Sequence, residues 1–402
     1  MRRRVVITGI GLYSSLGQYS NEVMDHFRQR RTVFTRPAFD PKVVVSPITS
    51  FDVKSSTGAF KEARYLNRGA QLAVASAVDA VKNAELPDDL IAKAGLFTGV
   101  GPNLSIGDEF PEIRQGRMDR DDLQALWILR FLPNTAAAVI ARLAGIRGEN
   151  LTVSTACASS LQAIGEAFRR VKDGYLNSAL AGGGDSRLSA GGILAYRKAR
   201  AVYAGDNDSD AASRPFDADR AGFVPGEGGG FFLLEESAQA RKRGARIYAE
   251  VCGYGSSLDG AGLTAPASDG REAKAAVLNA LAEAQITPTA IEMISAHGTG
   301  TPLNDKREAD MIDELFGERR PPVTALKSWI GHAATGCGAV ELSLLLYCMK
   351  EQYLPEIRNL REPCHQRVHF VRESGPFSFG AFLIENFGFG GQNAALVIRQ
   401  AE

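Results

Sequence analysis

The chain has 402 residues, with 46 basic and 46 acidic side chains and five histidines, so it is formally neutral, and 45% of it is apolar. That balance removes the electrostatic footprint of a general nucleic-acid binder; no apolar run reaches the roughly 20 residues that cross a bilayer; and the length allows two or three units of about 150 residues each. The five cysteines (157, 252, 337, 348 and 364) lack C-x-x-C spacing, which points to a reduced, cytoplasmic setting.

The basic start runs into Arg4–Ile10, an apolar stretch too short for a signal peptide and broken by Thr8 and Gly9, which predicts a strand. Further strands are expected at Gly95–Gly101, Leu151–Thr155, Ser178–Gly183 and Gly230–Glu235, with helices at Ala70–Val81, Thr135–Ala144 and Cys157–Val171. The pattern then repeats. Strands are expected at Ile247–Gly253, Glu292–Ala296, Pro322–Leu326, Gly380–Asn386 and Ala394–Ile398, and helices at Ala273–Ala284, Asn304–Phe316 and Gly338–Glu351. The first helix of each set carries one apolar stripe: Ala70, Ala73, Val74, Ala77, Val78 and Val81 in one, Ala273, Ala276, Val277, Ala280, Leu281 and Ala284 in the other. Gly338–Glu351 is apolar nearly all round, which calls for burial between two sheets. A duplicated α/β unit follows, with halves 1–244 and 245–402 meeting near Gly244.

In open α/β sheets, ligands gather at the carboxyl ends of strands. Four unusual segments fall there: Ser154-Thr-Ala-Cys157, His297-Gly-Thr299-Gly-Thr301-Pro, Lys327-Ser-Trp-Ile-Gly-His332 and Phe387-Gly-Phe389-Gly-Gly. Cys157 at a helix start reads either as a buried small hydrophobe or as a thiol whose pKa the helix terminus lowers toward neutrality. Two of the five histidines share its edge. Lys327 and Glu341 lie in apolar surroundings and need partners, so an ion pair is expected. The glycines around Phe389 suit either a hairpin turn or backbone N–H groups open to an oxyanion. Gly9-Ile-Gly11 lacks the third glycine of a dinucleotide fingerprint. Cys364-His365 with His369 has only loose metal-like spacing, so no metal site is expected.

These segments, with Ala212-Ser-Arg-Pro-Phe-Asp and Gly222-Phe-Val-Pro-Gly-Glu-Gly, resemble the β-ketoacyl-acyl-carrier-protein synthases of the thiolase superfamily, most closely the elongating type II ketosynthases. The resemblance spans nearly the whole chain. It implies a thiolase-like, duplicated five-layer αβαβα fold and a dimer, either of identical subunits or with a ketosynthase-like partner. The implied reaction is the decarboxylative Claisen condensation of an acyl thioester with malonyl carried by acyl carrier protein. Cys157 would accept the acyl group, His297 and His332 would promote decarboxylation, and Lys327 and Glu341 would be the charged pair beside them. Phe389 would be the gate, flanked by Phe387, with its N–H and that of Cys157 forming the oxyanion hole. Thr299 and Thr301 would hold the phosphopantetheine arm, which arrives on the carrier, so no bound cofactor is expected.

Gln392 stands where these enzymes usually have threonine, and Ala333-Ala-Thr-Gly-Cys337 is unusual after the second histidine. A specialised polyketide or polyene pathway is therefore a candidate beside fatty acid elongation. A chain-length-determining partner subunit is the alternative of another class; such subunits lack the nucleophilic cysteine. Lys61 and Arg64 are candidates for docking the acidic carrier.

Overall fold

The structure is a computed structural model that describes residues 3–105, 126–206, 208–267 and 269–401. Among these, ten strands form one sheet: β1 Val5–Tyr13, β2 Gly95–Gly99, β3 Asn150–Val153, β4 Ser178–Ser186, β5 Glu227–Glu236, β6 Ala249–Leu258, β7 Met293–Ser295, β8 Val323–Thr324, β9 Ala381–Gly388 and β10 Gln392–Arg399. Their order is β3-β2-β4-β5-β1-β6-β10-β9-β7-β8. Read outward from the centre, each five-stranded half has the same sequence of strands, and in each the fifth strand runs antiparallel between the first and the fourth. Two separate sheets were expected. The halves instead meet edge to edge, through Val5, Val6 and Ile7 of β1 paired with Val251, Glu250 and Ala249 of β6.

The helices that position the site are α1 Ser20–Gln29, α2 Arg68–Ala84, α3 Thr135–Ala144, α4 Ser159–Lys172, α5 Ala190–Lys198, α6 Arg271–Ala284, α7 Pro302–Phe316 and α8 Cys337–Glu351. The short helices α1 and α5 were not anticipated; each spans only a few turns and lacks a long apolar stripe. The apolar core falls into three main clusters. One joins α2 and α3 to the first half-sheet, and another joins α6 and α7 to the second. The largest surrounds α4 and α8 and includes strands of both halves. Helices thus cover both outer faces and fill the middle, giving the five layers. The predicted buried helix is α8, whose Ala339, Val340, Leu342, Leu344 and Leu345 are all shielded from solvent.

Gly9 and Gly11 have a packing reason. A Cβ on Gly11 would lie 1.9 Å from the Ser76 carbonyl oxygen of α2, and one on Gly9 would lie 2.3 Å from that of Ala80. The second half repeats the arrangement: a Cβ on Gly255 would lie 1.9 Å from the Ala276 oxygen, and one on Gly253 2.1 Å from that of Ala280. The glycines let each striped helix lie directly on its strand. Gly11→Ala is expected to cost about 3 kcal/mol, the upper end for overpacking. Gly375→Ala, which meets nothing within 4 Å, should stay within about 0.5 kcal/mol. Denaturant midpoints of the two variants check this; equal midpoints would refute the packing role.

Candidate active site

All four segments converge on one cavity of about 570 Å³, lined by Cys157, His297, Thr299, Thr301, His332, Phe387 and Phe389 among others. Cys157 sits in a 3-10 turn, Ala156–Ala158, that leads from β3 into α4. Ala156 has φ 48°, a left-handed conformation that only a fixed surrounding holds in a non-glycine residue. Gly388 packs on this turn; a Cβ there would be 2.9 Å from the Cys157 nitrogen. The backbone N–H groups of Cys157 and Phe389 both favour the sulfur's anion, so two donors converge on the thiol.

His332 Nε2 lies 3.0 Å from Cys157 Sγ. The two imidazole rings are 5.4 Å apart and nearly perpendicular, and one ligand atom from each of Cys157, His297 and His332 lies within 4.8 Å of the others. Asn386 Nδ2 contacts His297 Nδ1 at 3.2 Å and Glu341 Oε2 at 3.2 Å. An amide donor on Nδ1 leaves the His297 proton on Nε2. Lys327 Nζ donates to Glu341 Oε1 at 2.6 Å, so the expected ion pair forms within the core. Glu308 accepts the backbone N–H groups of His297 and Gly298 and so fixes the turn. Thr299 and Thr301 share a 2.9 Å hydroxyl contact. Asn386 and Glu308 escaped the sequence reading. Asn386 ends the expected strand Gly380–Asn386, but an amide between a ring and a carboxylate leaves no mark in spacing.

The electrostatics correct one expectation. Burial pushes the Cys157 thiol up to about 11, although the nearby Lys327 charge pulls it down. The helix-start effect does not outweigh desolvation, so the resting group is a neutral thiol beside a basic nitrogen. Burial, then the charge of Lys327, holds both imidazoles well below the ordinary value of 6.5. Burial pulls Lys327 down, but the charge of Glu341 outweighs it and raises the ammonium above its ordinary value.

Some candidates lie elsewhere. Lys61 and Arg64 belong to the short turn Lys61–Tyr65 and do not line the cavity. His365 lies 3.7 Å from Asp310 and 3.8 Å from Asp313, and it is not part of a metal-like cluster among the described residues. The Gly390-Gly391 pair makes the hairpin between β9 and β10, with φ 81° and 74°. The Cys157, His297 and His332 atoms would also suit a zinc ion with one open position.

Neutral buried rings leave a trace in stability. The unfolded chain takes protons below about pH 6.5 while the folded rings refuse them, so stability falls with pH there, by up to about 1.4 kcal/mol per ring per pH unit. His297→Asn is expected to flatten the urea-unfolding profile between pH 6 and 5 by about that slope. A profile parallel to the wild type would mean that the folded ring is protonated.

The β-ketoacyl synthase N-terminal domain model matches residues 2–240 and the C-terminal domain model residues 248–361. The chain is 31% identical to the 3-oxoacyl-[acyl-carrier-protein] synthase 2 of Synechocystis, covering 99% of this chain and 98% of the relative. It is 32% identical to the mitochondrial 3-oxoacyl-[acyl-carrier-protein] synthase of Arabidopsis thaliana, covering 98% and 93%. The solved ishigamide ketosynthase/chain length factor superposes with a TM-score of 0.90 at 30% identity over the whole of both chains. A type II polyketide ketosynthase captured with its acyl-carrier protein and bound to a hexaketide gives 0.89 at 26%, again over both whole chains. With both halves of the chain and its full length matched in this way, the protein belongs to the β-ketoacyl synthase family of acyl-transferring condensing enzymes.

Proposed function

We propose that Cys157 is the acyl-accepting nucleophile of a decarboxylative condensation in fatty acid or polyketide elongation. The observation that carries this is one sulfur and two neutral imidazoles, all within 4.8 Å, in a cavity reached by Thr299 and Thr301. The high resting pKa of the thiol sets the first step. As Cys157 Sγ bonds to the acyl carbonyl carbon, its proton passes to His332 Nε2. The carbonyl oxygen becomes an oxyanion under the N–H groups of Cys157 and Phe389. Collapse breaks the bond to the carrier's thiol, which leaves with the proton.

Malonyl-carrier then enters. Its carbon–carboxylate bond breaks, carbon dioxide leaves, and the electron pair moves onto an enolate whose oxygen accepts from His297 Nε2–H. The enolate carbon attacks the acyl carbonyl on Cys157, and the sulfur leaves as a thiolate that takes up one proton from solvent, the proton the overall decarboxylation consumes. Rings that stay neutral keep donor N–H groups without a fixed charge. Lys327 adds a positive field, and Glu341 keeps that charge in place. Thr299 and Thr301 would hold the phosphopantetheine arm, and Phe389, on a glycine-flanked turn, would gate entry.

The carrier is an acyl carrier protein in this reading, with Lys61, Arg64 and the exposed Arg200 at the cavity rim as docking candidates. Gly244, at φ 73°, marks our division between the halves. A second subunit, identical or ketosynthase-like, would pair at the edge strand β3, where Leu151 is exposed. A chain-length partner without condensing activity would have no use for Cys157.

Cys157→Ala is expected to abolish the covalent acyl adduct seen by mass spectrometry while the fold persists; normal loading of the variant would overturn the assignment. Cys157→Gln, shaped like an acylated cysteine, should still release carbon dioxide from malonyl-carrier above background. A chelator should leave adduct formation unchanged, whereas loss of loading would favour a metal at the same three atoms.

A further inference from the structure

The mechanism leaves one buried charge in the cavity unused. Arg187 follows the carboxyl end of β4, lines the same cavity as Cys157 and is only 4% exposed. Its Nε and Nη2 lie 3.1 Å and 2.8 Å from Asp185 Oδ2, and its Nη1 donates to the Pro102 carbonyl oxygen. Thr335, three residues after His332, donates its hydroxyl to the same Asp185 oxygen at 2.8 Å. A Cβ on Gly101 would fall 2.1 Å from Arg187 Nη2 and 2.9 Å from the Thr335 methyl, so glycine there makes room for the guanidinium. The first half supplies Arg187 and Asp185, whereas the second half supplies Thr299, Thr301 and the Thr335 that braces Asp185.

A guanidinium carries five N–H groups. Asp185 and Pro102 occupy three sides of it, which leaves one hydrogen on each Nη without a described protein partner. Buried donors of this kind need acceptors, so an acyl chain that takes the place of solvent beside them must supply one. A hydrocarbon cannot. A second carboxylate is also a poor match, because Asp185 already neutralises the charge. Tyr196 and Leu104 keep the neighbouring wall largely apolar. Arg187, Tyr196 and Cys157 line one cavity, and a charge on the Cys157 sulfur would be felt at both other groups.

We propose that Arg187, held by Asp185 and Thr335, is a specificity-determining residue that selects acyl groups bearing a neutral oxygen acceptor, keto or hydroxyl, over plain alkyl groups of the same length. This rests on Cys157 being the acyl acceptor. The test is to load the full-length protein with hexanoyl, 3-oxohexanoyl, 5-oxohexanoyl and 5-hydroxyhexanoyl thioesters of N-acetylcysteamine, reading adduct formation on Cys157 by mass spectrometry. Two variants are compared with the wild type. Arg187→Gln keeps an uncharged donor, and Asp185→Asn/Arg187→Met replaces the ion pair without leaving a lone charge. Each variant's ratio of oxygenated to alkyl loading is taken within one preparation, so it does not depend on the folded fraction, and comparison with wild type cancels the intrinsic reactivity of each thioester. At least one oxygenated probe is expected to lose roughly 10- to 100-fold of its advantage in the double variant, the range for leaving a buried donor unpaired, and less in Arg187→Gln. Ratios unchanged from the wild type in both variants would overturn the role of Arg187 alone. No adduct from any probe in the wild type would instead overturn Cys157 as the acceptor, and this proposal with it.

Discussion

One carboxylate, carried into the middle of the molecule on a helix that is buried on every side, ties the site together. Glu341 of α8 has no contact with solvent. One of its oxygens takes the Lys327 ammonium and the other takes the Asn386 amide, which also reaches His297. These residues come from the short helix Lys327–Ile330 after β8, from β9 and from the turn after β7, so a single charged group sets the relative position of three chain segments. A lone charge there would be prohibitive, and breaking such a pair from either side typically costs about 3–5 kcal/mol. The same constraint explains why α8 is apolar almost everywhere else: it must satisfy two half-sheets while carrying one charge that is fully answered.

Low polarity around that pair governs the chemistry. Desolvation keeps the thiol protonated and the imidazoles neutral, and each of these states suits a neutral donor–acceptor site more than a preformed ion pair. In the proposed reaction, the cost of making a thiolate would be deferred until a thioester is present to receive it. The positive field of Lys327 acts in the useful direction on both groups, favouring the sulfur anion and disfavouring imidazolium. Charge is thus supplied from a fixed, paired lysine rather than from the thiol or the imidazoles.

Much of the architecture was legible because it depends on short-range pattern. The stripes over Ala70–Val81 and Ala273–Ala284 predicted helices that the structure extends by only two or three residues at an end. The apolar stretch after His332 predicted a helix buried between layers. Gly9 and Gly11 were visible but ambiguous: in sequence they suggested an incomplete nucleotide fingerprint, and only the approach of α2 to β1 shows that they remove side chains from a packing contact. The edge-to-edge union of the half-sheets was not legible, since nothing in the composition of β1 or β6 states which strand it will pair with. The helices α1 and α5 were missed for lack of a long stripe.

The sequence by itself determined the repeating α/β order, the buried helix and the types of chemically active side chain at the strand ends, because local periodicity and residue chemistry operate over a few neighbouring positions. Only the tertiary structure decided which histidine faces the sulfur, that Asn386 links a ring to Glu341, that Glu308 grips the turn at His297, and that Arg187 shares the cavity. Cys157 and His332 are 175 positions apart, and their separation in space depends on every layer between them. The thiol's ionisation was decided at the same level: a helix start favours the anion locally, while desolvation sums over all the atoms that exclude water, and here the sum is larger.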